Sequence, residues 1–234
     1  MTTTQQDAAG RAGRRLSLGL LGGLVVLVAA VPLAVLVRSA NPWLVGVDLN
    51  VSRAAVEAVR ESAALLLVAR AVTLLGEPVP ITVVAALIAL LLLRRGRRRL
   101  ALFVVVARLG AVVLSQGLKA AVDRTRPVFD EPVATALGAS FPSGHALGSA
   151  AFYATGAVLL APYVRRSRLM LLAAVLLSAL VAASRVLLGV HFLSDVMAGL
   201  LIGLGWAALC TAVFAAWRAE EGRPVEVAEE GIGR

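Results

Sequence analysis

The sequence predicts an all-α fold, a polytopic membrane bundle of six transmembrane helices with an additional amphipathic helix at the interface. Three observations predict it. Of the 234 residues, 59% are hydrophobic, and the mean hydropathy is +0.88. Soluble domains are nearer about 45–50% apolar, and a chain this greasy would lack the polar residues to cover a soluble surface. Several runs approach the roughly 20 uncharged residues needed to cross a bilayer as helix. Finally, the net charge of +9 sits in short arginine clusters between apolar runs: Arg11, Arg14 and Arg15; Arg94, Arg95, Arg97, Arg98 and Arg99; Arg165, Arg166 and Arg168; Arg218 and Arg223. That is the mark of cytoplasmic loops, and no nucleic-acid partner is expected from such scattered clusters. Cys210 is the only cysteine, so one chain can form neither a disulfide nor a thiolate metal cluster.

The first span, at 16–37, follows a basic flank and reads "LSLGLLGGLVVLVAAVPLAVLV". Its apolar stretch exceeds the roughly 7–15 residues of a cleaved signal, so it is read as a retained span, with cleavage as the alternative. Residues 48–76 have apolar positions near helical spacing, interrupted by Arg53, Glu57, Arg60, Glu61 and Arg70. They predict an amphipathic helix on the outer interface. A seventh crossing is the rival, but it would put arginine clusters outside. The remaining spans fall at 77–93, 100–118, 145–163, 169–187 and 194–217. Six crossings place every arginine cluster on one side, so both termini are expected in the cytoplasm of a bacterial plasma membrane. Residues 16–217 then form one domain, and the polar stretches 1–15 and 218–234 are expected to be disordered tails. Trp43 and Trp217 fall at span ends, where interfacial aromatics are favoured. Arg108 lies near the middle of the third span, where a charge needs a partner or a polar cavity. It reads as half of a structural ion pair or as a rim residue of a site.

Three polar strings stand on the predicted outer side. In "LKAAVDRTRP", Lys119 and Arg126 are two helical turns apart and share a face if the third span continues that far. Two cations on one face can hold an anion; a basic patch among headgroups is the other reading. In "ASFPSGHALGSA", Pro142 and Gly144 shape a turn, Ser143 suits an N-cap, and a span begins directly after. A helix N-terminus cradles an anion, and His145 beside it can donate a proton to a leaving oxygen. A plain helix cap is the alternative. In "ASRVLLGVHFLSDVMAG", His191 and Asp195 stand four residues apart at the start of the sixth span. A carboxylate that fixes one imidazole nitrogen leaves the other as a nucleophile, although an ordinary i, i+4 helix pair has the same spacing.

In their order and internal spacing, Lys119 with Arg126 and Pro127, then Pro142, Ser143, Gly144 and His145, then Ser184, Arg185, His191 and Asp195 resemble the three-part signature of the type 2 phosphatidic acid phosphatase superfamily. That superfamily includes membrane lipid phosphate phosphatases and shares its active site with soluble vanadium haloperoxidases. The resemblance implies a hydrolase acting on a lipid phosphate or diphosphate, such as undecaprenyl diphosphate, phosphatidylglycerophosphate or phosphatidic acid, at the outer membrane face. His191 would attack phosphorus to give a phosphohistidine, Asp195 would orient it, and His145 would protonate the leaving oxygen. Lys119, Arg126, Ser143, Gly144 and Arg185 would hold the phosphoryl oxygens. No metal or other cofactor is expected. A lipid phosphotransferase with the same site, and a transporter or binding protein that only grips the phosphate, are the alternatives.

Overall fold

A computed structural model describes the backbone of residues 3–220 and the side chains of residues 17 and 20–215. Among the described residues the fold is all helical. The α-helices are α1 (Thr3–Arg38), α2 (Pro42–Glu61), α3 (Ala63–Leu74), α4 (Pro78–Arg94), α5 (Arg98–Val122), α6 (Gly144–Leu160), α7 (Ser167–Leu187) and α8 (Leu193–Glu220). Among the described residues, six helical segments are long and apolar enough to cross a membrane: Leu20–Arg38, Ala63–Arg94, Arg98–Val122, Gly144–Tyr163, Ser167–Leu187 and Leu193–Ala215. The chain is an integral membrane protein by that measure. Large apolar side chains such as Val79, Leu87, Leu109, Leu172 and Val213 face outward from the bundle, as a hydrocarbon solvent allows.

The second span differs from expectation. Residues 48–76 are not one separate amphipathic helix. The chain breaks at Ser62, whose hydroxyl accepts from the Leu65 amide at 3.2 Å and starts α3. α3 then joins α4 in the single segment Ala63–Arg94. Gly76, Glu77 and Pro78 look like a boundary in sequence because proline favours the first helical turn; here they interrupt the rod between α3 and α4. α2 begins in the same manner, with Asn41 accepting from the Leu44 amide and Pro42 at the start. Its inner face buries Asp48, Ser52, Val56 and Val59, and it packs on α7 and α8. Trp43, at its start, is exposed. At the other end of the bundle, α1 runs from Thr3, so helix occupies stretches read as an N-terminal tail. The tail at 221–234 and the side chains of Trp217 and Arg218 lie outside the described residues.

α6 and α8 form the centre, with α8 also packed along α1. Their backbones approach closely because Gly199 and Gly203 face α6. A methyl at Gly199 would stand 2.7 Å from the Ser143 carbonyl oxygen, and one at Gly203 2.4 Å from that of Leu147. Small residues at such crossings are how membrane helices gain contact without a hydrophobic drive. The consequence for function is local: the first turns of α6 and α8 are held side by side, and the Ser143 amide donates to the Asp195 carbonyl at 3.0 Å.

Arg108 has a hydrogen-bonded role in place of the expected ion pair. Its guanidinium donates to Thr82 Oγ1 at 2.7 and 3.0 Å and to the Pro78 carbonyl at 2.9 Å. It therefore clamps α5 to the first turns of α4.

Candidate active site

The end of α5, the loop 123–143, the start of α6, the end of α7 and the start of α8 meet at one end of the bundle. The arginines at 94–99 and 165–168 lie at the other ends of the same helices. Lys119 and Arg126 converge by a different route from a shared helical face. α5 stops at Val122, with Asp123 in a left-handed cap at φ 46°. Arg126 therefore stands in the loop, where it donates to the carbonyls of Gly138 at 2.9 Å and Leu137 at 3.0 Å. Both cations reach one acceptor, the Ala139 carbonyl, Lys119 Nζ at 2.5 Å and Arg126 Nη2 at 3.3 Å. The loop itself brings the pair together.

His191 precedes α8 instead of lying on it. Gly189, at φ 69°, turns the chain between α7 and α8, and a side chain there would also meet Val56 Cγ2 at 2.8 Å. The imidazole is 2% exposed. Its Nε2 lies 3.1 Å from Arg126 Nη1. A guanidinium can only donate, so Nε2 is an acceptor carrying its lone pair and the proton belongs on Nδ1. Nδ1 faces Asp195 Oδ2 at 3.6 Å and Ser140 Oγ at 3.4 Å. Asp195, in the first turn of α8, is held by Ser140 Oγ–H at 2.5 Å and by the Phe192 amide at 2.9 Å.

The third group opens α6. Ser143 occupies the N-cap position, yet its side chain makes no capping bond. Ser143 Oγ, His145 Nε2 and Arg185 Nε are all buried without a hydrogen-bond partner in the protein. Leaving such groups unpaired costs about 1–3 kcal/mol each. Arg185 is otherwise anchored by Nη1 to Thr73 Oγ1 at 2.7 Å, and His145 Nε2 stands 3.3 Å from Glu77 Oε1 at the α3–α4 break. The charges of Arg126 and Arg185 act on both His145 and His191, so the rings share one cationic neighbourhood. Gly144 opens α6 with a Cβ position only 3.3 Å from Ser115 Oγ, so a side chain there would crowd that hydroxyl.

Several residues of this end escaped the sequence reading: Asp48, Thr73, Glu77, Arg124, Ser140 and Ser194. Arg124 joins two carboxylates. Its Nη1 donates to Asp195 Oδ1 and its Nη2 to Asp48 Oδ2, each at 2.7 Å. Asp48 also accepts from the Ser194 amide at 2.9 Å and from Ser194 Oγ–H. One signal for Asp48 was present: a carboxylate in an apolar stretch with no basic residue three or four positions away.

Burial dominates the protonation of His191. Loss of solvent pushes its pKa down to about 4, and the Arg126 and Arg185 charges add to this, against the opposing pull of Asp195. Arg126 is also lowered by burial, with Asp195 opposing, and stays charged. The His191 value lies below the ordinary 6.5, so folding favours the neutral ring. Its stabilising contribution is complete above pH 6.5 and is lost as the pH falls toward 4. With only two histidines in the chain, ring-labelled NMR can read this directly. The signal that vanishes in His191→Gln should titrate near 4. A midpoint near 6.5 would mean a solvated ring.

Comparison with known proteins gives concordant results. Residues 98–219 match the family model described as the PAP2 superfamily. Phosphatidylglycerophosphatase B of Bacillus subtilis (strain 168) is 35% identical over 96 residues, which cover 39% of this chain and 47% of that protein. The chain thus matches about half the length of that curated relative. The crystal structure of the first transmembrane PAP2 type phosphatidylglycerolphosphate phosphatase from Bacillus subtilis superposes with a TM-score of 0.70 at 25% identity. The superposition covers 86% of this chain and 98% of that one.

Proposed function

Because the chain belongs to the PAP2 superfamily, we propose that it is an integral-membrane phosphatase that hydrolyses a lipid phosphate or diphosphate through a phosphohistidine at His191. One observation carries this reading. A neutral imidazole with its lone pair beside Arg126 shares a cationic neighbourhood with His145, whose Nε2 faces Glu77 Oε1 at 3.3 Å, and with two buried polar atoms that no protein group satisfies, Ser143 Oγ and Arg185 Nε. Phosphoryl oxygens would satisfy the hydroxyl and the guanidinium.

In the first step His191 Nε2 attacks phosphorus while the bond from phosphorus to the lipid oxygen breaks. Protonated His145 gives its proton to that oxygen, and the lipid product leaves. His145, now neutral, takes a proton from water as the water oxygen attacks phosphorus. The phosphorus–nitrogen bond breaks, and inorganic phosphate leaves with His191 restored. Lys119, Arg126, Arg185, the Ser143 hydroxyl and the Gly144 amide hold the negative oxygens as charge develops. Asp195 keeps the Nδ1 proton of His191 in place throughout. No step asks for a metal ion. The purified protein should release phosphate from undecaprenyl diphosphate, phosphatidylglycerophosphate or phosphatidic acid at an undiminished rate in excess EDTA. Binding of these lipids without turnover would favour a transporter or binding protein instead.

The site belongs, on this reading, at the outer face of a bacterial plasma membrane, with both termini cytoplasmic and α2 along the outer interface. The arginines at 94–99 and 165–168, at the bundle end away from the site, support that orientation. Leu137 is 96% exposed in the loop of the site and Arg95 is exposed at the far end. In a Cys210→Ala background, Leu137→Cys should react with an impermeant maleimide on intact cells, and Arg95→Cys only after lysis. The reverse pattern would invert the topology.

A further inference from the structure

We infer that Asp48 and Arg124 form a positioning pair that holds Asp195, and through it the His191 ring, in the geometry of attack. The inference rests on the phosphatase reading above and names residues that the three sequence strings did not single out for the site. Asp48 lies on α2, upstream of the region that matches the family.

Asp48 and Asp195 are 1% and 0% exposed. Two buried carboxylates are costly unless each is paired and hydrogen-bonded. A single guanidinium serves both, one nitrogen to each, and its plane is seated over the Phe192 ring at 4.1 Å. Asp48 is itself fixed by the backbone amide of Ser194, so α2, the loop 123–143 and the first turn of α8 are tied at one point. The titratable groups acting on Asp195 are the Arg124 charge and the neutral His191 ring in contact, with the charges of Lys119 and Arg126 at longer range. Its Oδ1 goes to Arg124, and its Oδ2 takes Ser140 and the Phe192 amide on the side facing His191.

This division has a consequence that plain scaffolding lacks. Asp48 balances part of the Arg124 charge. Removing Asp48's charge lets Arg124 weigh more heavily on Asp195, so His191 holds its proton less well. Removing Arg124's charge does the opposite. The two substitutions should therefore move the His191 titration in opposite directions.

The experiment compares wild type, Asp48→Asn, Arg124→Gln and the double variant, with thermal unfolding in detergent as the fold control. Each single variant is expected to lower kcat by about tenfold or more with KM within about twofold, as when outer partners of an oriented histidine are lost. The His191 signal should move to lower pH in Asp48→Asn and to higher pH in Arg124→Gln. The double variant should cost less than the product of the two single losses. Shifts of the same sign, no shift, or unchanged kcat in either variant would overturn the inference. If Asp48→Asn cannot be purified folded, the Arg124→Gln result decides alone. His191→Ala serves as the separate control. Retained activity there would sink the phosphatase mechanism, whereas an inactive His191→Ala beside normal Asp48 and Arg124 variants would sink only the positioning pair.

Discussion

His191→Ala should remove turnover of every lipid phosphate the protein accepts, by roughly 10⁴-fold or more, as loss of a covalent nucleophile does elsewhere. The expectation follows from geometry. Nε2 has its lone pair in place because Arg126 donates to it, and Arg185 is the other cation acting directly on the ring. Alanine offers no atom that can bond phosphorus. The fold should survive, because Arg126 keeps the carbonyls of Leu137, Gly138, Ala139 and Val190 as acceptors. Two measurements on the same detergent preparation check this: phosphate release, and trapping of an acid-labile labelled phosphoprotein. Wild type should give both. His191→Ala should give neither while unfolding at a temperature close to that of wild type. A labelled phosphoprotein that persists in His191→Ala would move the nucleophile to another residue.

The bundle was legible in the sequence where the bilayer is the only judge. A run of apolar side chains long enough to cross hydrocarbon has few alternatives, and every span but the second lies within a few residues of expectation. The second was read only in its later part, 77–93, because punctuation is ambiguous at the junction with α3. Gly76, Glu77 and Pro78 signal an end, yet α3 carries its one charge, Arg70, out to the Val133 carbonyl and continues the span. α2 misled for a different reason. Its buried face runs Leu44, Asp48, Ser52, Val56 and Val59, with two polar residues in its middle. A hydrophobic period assigns polar residues to solvent, so it cannot recognise a face whose polar groups point at Arg124 and Ser194.

The proposed site divides along the same line. Lys119, Arg126, Ser143, Gly144, His145, Arg185, His191 and Asp195 were picked out because such groups are rare in apolar surroundings, and the structure brings them to one end of the bundle. The path by which Lys119 and Arg126 meet was not legible, because a helix continued past Val122 and a loop folded back onto Ala139 use the same residues. Asp48, Ser140 and Arg124 act through contacts 55 to 146 residues apart in sequence. No local spacing encodes those. Only the packing of α2 and of the loop 123–143 against the first turn of α8 creates them.

Asp195→Asn is expected to have the second-largest effect, a loss of roughly 10³- to 10⁴-fold in kcat with little change in KM. In the proposed mechanism the carboxylate, 3.6 Å from Nδ1, holds a proton there and so leaves Nε2 free. An amide in its place must turn its NH₂ either toward Arg124, which keeps an acceptor for the Phe192 amide, or toward His191, where it also meets the Phe192 N–H. Toward Arg124 it sets donor against donor, where the carboxylate now accepts at 2.7 Å. Toward His191 it makes Nδ1 the acceptor and moves the proton to Nε2, the atom proposed to attack. The corresponding exchange in serine proteases lowers kcat by about 10⁴-fold through the wrong tautomer. Substrate grip should hold, because the cations and the Ser143 hydroxyl are untouched. The measurement is a kcat and KM pair for Asp195→Asn, joined to the nitrogen shifts of His191, which report which ring atom carries the proton. A proton on Nε2 with kcat down and KM unchanged would support the orienting role. A proton that stays on Nδ1 together with near-normal kcat would mean that Ser140, at 3.4 Å from Nδ1, fixes the tautomer alone, and that Asp195 serves only to start α8.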